Sequence, residues 1–117
     1  MNEKILKCLH DVSMAISEID SFLELIPDDF IEYGRSQVIK RAVERNLEII
    51  GEAVNRILKE DANFPIENAN RIVGLRNQII HGYDSISDEN IWAILHNHLP
   101  KLRKEVNALI NRFPRLS

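Results

Sequence analysis

Apolar residues recur at steps of three and four along three long stretches of this 117-residue chain. Such spacing gathers side chains on one face of an α-helix, which turns about every 3.6 residues, whereas the two faces of a strand alternate at every residue. Each stretch therefore predicts an amphipathic helix whose apolar face needs a partner. The first helix is expected over residues 2–26, with its apolar residues at Ile5, Leu9, Val12, Ile16, Ile19, Leu23 and Ile26.

Turn-forming residues separate this helix from the next. Pro27 ends the first helix, and a short acidic connection that contains Tyr33 leads to Gly34. A second helix is expected over residues 35–61. Its apolar face is predicted at Val38, Ala42, Leu47, Ile50, Val54 and Ile57, widened by Ile39 and Val43.

Two further helices complete the predicted fold. A shorter one starts near Ile66, carries apolar residues inward and stops at Gly82. Ser87 caps the last helix, which Pro100 is expected to kink because proline removes one backbone bond and crowds the preceding turn. The sequence therefore predicts an all-α protein, an antiparallel bundle of four main helices with a C-terminal helix kinked at Pro100.

Composition limits the class of protein. A chain of this length forms one core, so residues 1–117 are expected to be a single domain. Hydrophobic residues make up 44% and charged residues 28%, as in globular proteins, and no apolar run approaches the roughly 18 residues that span a bilayer. A lone Cys8 excludes an internal disulfide. We expect a cytoplasmic protein without membrane contact.

The strongest functional signal is the segment from Arg76 to Tyr83, which reads Arg-Asn-Gln-Ile-Ile-His-Gly-Tyr. Arginine offers fixed donors to a phosphate, and histidine can exchange a proton near neutral pH. Although the net charge of the chain is -3, residues 68–83 contain two arginines and no acidic residue. This local basic character suits an anionic ligand.

Helical geometry restricts how Arg76 and His81 can act together. Five residues apart on a regular helix, they point roughly 140° from one another. Convergence requires the helix to end or distort near His81, which Gly82 allows, or a second copy of the motif from a two-fold partner. A histidine in the last turn of a helix also meets the negative end of the dipole, which favours its protonated form.

This pair of side chains suits metal-independent cleavage of RNA. In that reaction the 2′-hydroxyl attacks the adjacent phosphorus, so the enzyme must stabilise charge on phosphate oxygens and protonate the leaving 5′-oxygen. Arg76 can do the first and His81 the second, with Asn77 and Tyr83 in supporting roles. The spacing alone is weak evidence, since an arginine and a histidine five residues apart occur in many proteins.

A carboxylate stripe on the second helix has two interpretations. Glu44, Glu48 and Glu52 lie at successive steps of four, where nearby arginines can offset their repulsion at the surface. Alternatively, Glu52 holds Arg76 or His81 in place, and Gly51 beside it suggests a close helix approach. The spacing of the other histidines does not form a metal site, so no metal ligand and no cofactor are expected.

The order and spacing of several blocks along the chain resemble the HepT-like branch of the HEPN domain family. The resemblance covers nearly the whole chain. It is carried by residues 44–53 (Glu-Arg-Asn-Leu-Glu-Ile-Ile-Gly-Glu-Ala), by the run Arg76 to Tyr83, by Ile91-Trp92 and by Leu99-Pro100-Lys101-Leu102.

The resemblance implies a ribonuclease toxin of a type VII-like HEPN/MNT toxin-antitoxin system. The family motif, Arg-x4-His-x-Tyr, falls on Arg76, His81 and Tyr83, with Asn77 at the polar position after the arginine. The family also implies a homodimer with a composite cleft and an MNT-type minimal nucleotidyltransferase antitoxin as partner. That partner can transfer AMP to the motif tyrosine, which makes Tyr83 the candidate AMPylation site.

Two other functions remain open from sequence. The bundle could be a non-catalytic helical adaptor that binds the nucleotidyltransferase, with the motif as docking surface and AMP acceptor. It could also be a structural dimer in which Arg76 and His81 form internal salt bridges.

Overall fold

The computed structural model describes residues 2–82 and 86–113, and every regular element within those ranges is an α-helix. The all-α prediction is therefore confirmed. The helices are α1 (Glu3–Leu23), α2 (Phe30–Arg35), α3 (Gln37–Glu60), α4 (Ala69–His81), α5 (Asp88–Asn97) and α6 (Leu99–Asn111).

Helix α1 packs against both α3 and α6. Both neighbours run antiparallel to it. Asn2 at the start of α1 donates to Glu60 at the end of α3 (3.1 Å), and Asp20 near the end of α1 pairs with Arg103 near the start of α6. The core between these helices consists mainly of Leu, Ile and Val, as the apolar periodicity of α1 predicts.

Asn46 is a buried polar side chain in this core, with only 5% of its surface exposed. Its amide nitrogen donates to the Ala15 carbonyl (3.1 Å) and to the Glu18 carboxylate (2.9 Å), both on α1. Because a buried amide without partners costs free energy, these bonds favour one register of α3 along α1.

Helix α2 corrects the expectation of a simple connection between the first two long helices. Its first turn is capped by Asp29, whose side chain accepts a hydrogen bond from the Glu32 amide (3.2 Å). The short helix turns Tyr33 wholly into the core, 5.3 Å from the Trp92 ring. Burial, together with the charges of Glu44 and Asp88, raises the pKa of the Tyr33 phenol.

The apolar face of α3 is rotated from the predicted one at its N-terminal end. Val38, placed inward from sequence, is 79% exposed, so that assignment is wrong, whereas Ile39 and Val43 are buried. An apolar face through Val38 and one through Ile39 both satisfy helical spacing. Which of the two is buried depends on the side of α3 that packs against α1, and tertiary packing decides that.

The kink expected at Pro100 takes the form of a break between two helices. α5 ends at Asn97, His98 lies between the helices, and α6 begins at Leu99, so that Pro100 stands in the first turn of α6. Proline fits the first turn of a helix, where an amide has no intrahelical acceptor. The predicted cap at Ser87 is confirmed, since its hydroxyl accepts from the Asn90 amide (3.2 Å).

Helix α4 packs mainly against α3. It begins after Asn68, which has a left-handed φ of 62°, and ends at Gly82 with φ of 63°, as predicted for a helix stop. The contact with α3 is close at Gly51. A Cβ placed there would lie 2.3 Å from the Cβ of Arg76 and 3.2 Å from the Ile72 carbonyl oxygen. Glycine is therefore required at residue 51 for the observed approach.

We expect Gly51→Ala to destabilise the protein by about 1 kcal/mol. Overpacking costs about 1–3 kcal/mol, and the better helix propensity of alanine returns about 1 kcal/mol. Gly74→Ala is the matched control, because the site is on α4 and nothing lies within 4 Å of its added Cβ. It should stabilise by up to about 1 kcal/mol. Urea unfolding measures both, and equal stabilisation by the two changes would contradict the close approach.

Candidate active site

Arg76 is the centre of a polar cluster where α4 meets α3. Its Nη2 lies 2.8 Å from Oε2 of Glu52 on α3, and its Nη1 donates to the side-chain oxygen of Asn77 (3.2 Å). The Glu52 contact is an ion pair without the alignment of a hydrogen bond, since Glu52 Oε2 is still unsatisfied as an acceptor. The stem of Arg76 passes over Gly51, so the close helix approach fixes where the guanidinium lies.

Glu52 is held from two sides. Its Oε1 accepts a hydrogen bond from Nε of Arg56 (3.1 Å), four residues further along α3, while its Oε2 faces Arg76. Both sequence interpretations of the carboxylate stripe thus apply to Glu52. It is paired within its own helix, and it also reaches the motif arginine. Glu48 is paired as well, with Arg45 (3.2 Å).

The cluster borders an open cavity of about 380 Å³ between α3 and α4, with one residue contributed by α1. Nε of Arg76 is buried and has no hydrogen-bond acceptor within residues 2–82 and 86–113. Although this buried nitrogen is not open to a ligand, 27% of the Arg76 side chain is exposed, and its guanidinium lines the cavity as a group that can bind a phosphate. It is lined by Asp11, Arg45, Glu48, Ile49, Glu52, Ala53, Arg56, Arg76 and Ile80.

His81 is the last residue of α4, and its side chain is exposed. Gly82 leaves the helix in the left-handed conformation directly after it. The imidazole therefore lies at the C-terminal end of α4. Tyr83, the third residue of the motif, lies outside the described residues.

α4 is unbroken between Arg76 and His81, so the helix does not distort between them. Arg76 contacts Glu52 and Asn77, whereas His81 is more than one helical turn further along. The sequence left two routes by which Arg76 and His81 could converge, a helix that ends or distorts near His81 and a second copy of the motif. A distortion of the helix before His81 is excluded. The helix end directly after His81 and a second copy of the motif remain.

Arg56 holds Glu52 from four residues away, as the sequence predicts for the arginines near the carboxylate stripe. One residue of the cavity has a role that the sequence did not single out. Asp11 reaches the cavity from α1, far away in the chain. Only the packing of α1 on α3 brings it there.

Comparison with known proteins identifies the family. Residues 12–109 match the family model described as "Ribonuclease HepT-like". The chain belongs to the HepT-like ribonuclease family. The matched range extends from α1 into α6 and includes Glu52, Arg76 and His81. Membership confirms the expectation of a ribonuclease, for which RNA is the substrate.

Several relatives of this HepT-like chain are named "Putative RNase". One from Methanocaldococcus jannaschii is 37% identical over 103 residues, which cover 86% of this chain and 92% of the relative. A second from that organism is 31% identical and covers 87% of each chain. One from Caldanaerobacter subterraneus is 32% identical over 71% of this chain and 75% of its own length. No solved structure matches significantly.

The described ranges contain neither a metal-binding cluster nor a membrane-spanning helix. In residues 2–82 and 86–113, no group of three or more His, Cys, Asp or Glu side chains is placed to hold a metal ion. None of the helices α1 to α6 is both long enough and apolar enough to cross a membrane.

We expect the Glu52–Arg76 pair to show measurable coupling in a double-mutant cycle of Glu52→Gln and Arg76→Met. Both side chains are partly buried, so unfolding in urea should give a coupling free energy of about 1 kcal/mol. The matched control is the more exposed Glu32–Arg35 pair, where Glu32→Gln and Arg35→Met should couple by about 0.3 kcal/mol or less. Equal coupling in both cycles would show that Glu52 does not hold Arg76.

Proposed function

We propose that this chain is a metal-independent endoribonuclease in which Arg76 and His81 are the catalytic residues. The observation that carries the proposal is the Arg76 guanidinium, held over Gly51 by Glu52 and lining an open cavity, on the helix that ends at His81. Glu52 and Asn77 are positioning residues, since they act on the substrate through Arg76.

The proposed reaction is an intramolecular transesterification at the phosphorus. The 2′-hydroxyl oxygen forms a bond to the adjacent phosphorus while the bond from phosphorus to the 5′-oxygen breaks. Arg76 stabilises the charge on the phosphate oxygens, and the His81 imidazolium gives its proton to the leaving 5′-oxygen. A neutral imidazole takes the proton of the 2′-hydroxyl. The products are a 2′,3′-cyclic phosphate and a 5′-hydroxyl, and DNA lacks the nucleophile.

The proposed active unit is a homodimer. Two copies related by a two-fold axis put two Arg76–His81 sets across one cleft, which supplies the acidic and the neutral imidazole that the reaction needs. The open surface of α4 supports this arrangement. The helix has no fully buried residue, and its Ile80 is 47% exposed beside the Arg76 cavity.

The proposed biological role is that of a toxin in the cytoplasm, within a type VII-like HEPN/MNT toxin-antitoxin system. The antitoxin is an MNT-type nucleotidyltransferase. In its reaction the Tyr83 hydroxyl oxygen attacks the α-phosphorus of ATP, pyrophosphate leaves, and the phenolic proton passes to solvent. The added phosphate and nucleotide, two residues from His81 in sequence, would occupy the place of the RNA backbone.

We expect Arg76→Ala and His81→Ala each to lower RNA cleavage by at least about 100-fold in EDTA, because each change removes a group that acts in the transition state. Cleavage of a labelled RNA is measured by gel, and mass spectrometry should find 2′,3′-cyclic phosphate ends. Arg71→Ala on the exposed surface of α4 and His98→Ala between α5 and α6 are matched controls that should cut normally.

Circular dichroism and size-exclusion chromatography must show that the two variants keep the fold and oligomeric state of the parent. Under those conditions, undiminished cleavage by both purified variants would rule out the catalytic assignment. Cleavage of the matching DNA strand would rule out attack by the 2′-hydroxyl.

We expect expression of the chain alone to arrest bacterial growth and His81→Ala to relieve the arrest. Co-expression of the nucleotidyltransferase should restore growth of cells with the parent chain but not of cells with Tyr83→Phe, which has no acceptor oxygen. Growth curves measure the arrest and its relief. Intact-mass spectrometry should find the AMP adduct on the parent chain and not on Tyr83→Phe. A harmless parent chain would instead indicate the adaptor function.

A further inference from the structure

A second cavity, of about 320 Å³, lies at the C-terminal end of α4, between the first half of α3 and the start of α5. Its size is within the range of small-molecule sites. It shares no lining residue with the Arg76 cavity. Because Gly82 lines it, the cavity begins directly after His81 in the chain.

The walls of this cavity are held by one ion pair. Nζ of Lys40 on α3 lies 3.0 Å from the carboxylate of Asp88 at the start of α5, and it also donates to the Gly34 carbonyl (3.4 Å). Both charged side chains are largely buried. These two charges therefore neutralise each other and fix the spacing of α3 and α5.

Other polar side chains of the cavity are available to a ligand. The side chains of Arg41, Glu44 and Gln78, which line the cavity, make no hydrogen bond or ion pair with another side chain in the described part of the chain. Glu44 differs in this from Glu48 and Glu52 on the same helix, each of which is held by an arginine. The cavity thus presents a cation, a carboxylate and an amide.

Apolar side chains from α4 and α5 complete the lining. Ile79, Ile86 and Ile91 contribute, and Ile91 is fully buried. An apolar surface beside a few polar groups suits a nucleotide. The isoleucines offer a surface on which a base can pack, the carboxylate and the amide can bind the edge of the base, and the arginine can bind a phosphate.

We propose that this cavity binds the nucleotide on the 3′ side of the cleaved bond, a specificity site that rests on the proposed function. His81 protonates the 5′-oxygen of that leaving nucleotide, so the nucleotide must begin beside His81. The cavity next to Gly82 is where its base and ribose can enter. Arg41 contacts its 3′-phosphate, and Glu44 reads the edge of its base.

Glu44 determines which base the cavity prefers. An ionised carboxylate accepts hydrogen bonds and cannot donate them. Adenine, cytosine and guanine each carry an amino group that donates to it, whereas uracil places carbonyl oxygens on both sides of its single N–H. The site therefore favours cleavage before A, C or G and disfavours cleavage before U.

Binding of single nucleotides tests the site without cleavage. NMR titration of the full chain with adenosine 3′-monophosphate should shift the Gln78 side-chain amide signals, with about tenfold tighter binding than uridine 3′-monophosphate. Glu44→Gln, which can donate to a carbonyl, should bring this ratio close to one. Arg41→Ala should weaken both nucleotides by about tenfold. Glu3→Gln, the same charge change at the far end of the bundle, is the control and should keep the parent's preference.

Sequencing of cleavage ends gives the second readout. Cuts before U should be about tenfold rarer than cuts before A in the parent, and Glu44→Gln should remove that bias. If RNA is cut but Glu44→Gln changes neither the nucleotide preference nor the cut sites, the proposed subsite is overturned. If Glu44-dependent nucleotide binding is present but no RNA is cut, the site stands and the endoribonuclease proposal fails.

Discussion

The close packing of α3 and α4 at Gly51 is the constraint on which the candidate site depends. Because residue 51 has no Cβ, the stem of Arg76 can lie directly against α3, and its guanidinium then reaches Glu52. α4 has no fully buried residue that would anchor it by burial alone. The missing methyl group of one glycine therefore sets the position of the arginine that defines the family's motif.

The regularity of α4 has a functional consequence. An unbroken helix holds Arg76 beside α3 and places His81 at its C-terminal end, with the two residues roughly 140° apart around the helix axis. In the proposed dimer, the second copy of the chain brings Arg76 and His81 of different subunits together across one cleft. The cavities at the two ends of the Arg76–His81 segment then have different proposed roles, one for the scissile phosphate and one for the nucleotide that leaves.

The elements with strong local signals were predictable. The seam of α1, the cap at Ser87 and the stop at Gly82 each depend on neighbours in the chain, and all three are present. Helix α2 was missed because six residues carry too little periodicity to reveal a helix, although Asp29 is a recognisable cap. Val38 was misplaced because Val38 and Ile39 both satisfy helical spacing, and only the direction of α1 distinguishes them.

The sequence by itself determined the helical class, the Arg76–His81 motif and the family, because periodicity, spacing and residue type are properties of the chain. The tertiary structure alone decided that Glu52 pairs with Arg76, that Asp11 joins their cavity, and that Glu44 and Arg41 share a separate cavity with the end of α4. These contacts join residues from different helices. Their geometry is set by how the helices pack, which the local pattern of each helix does not specify.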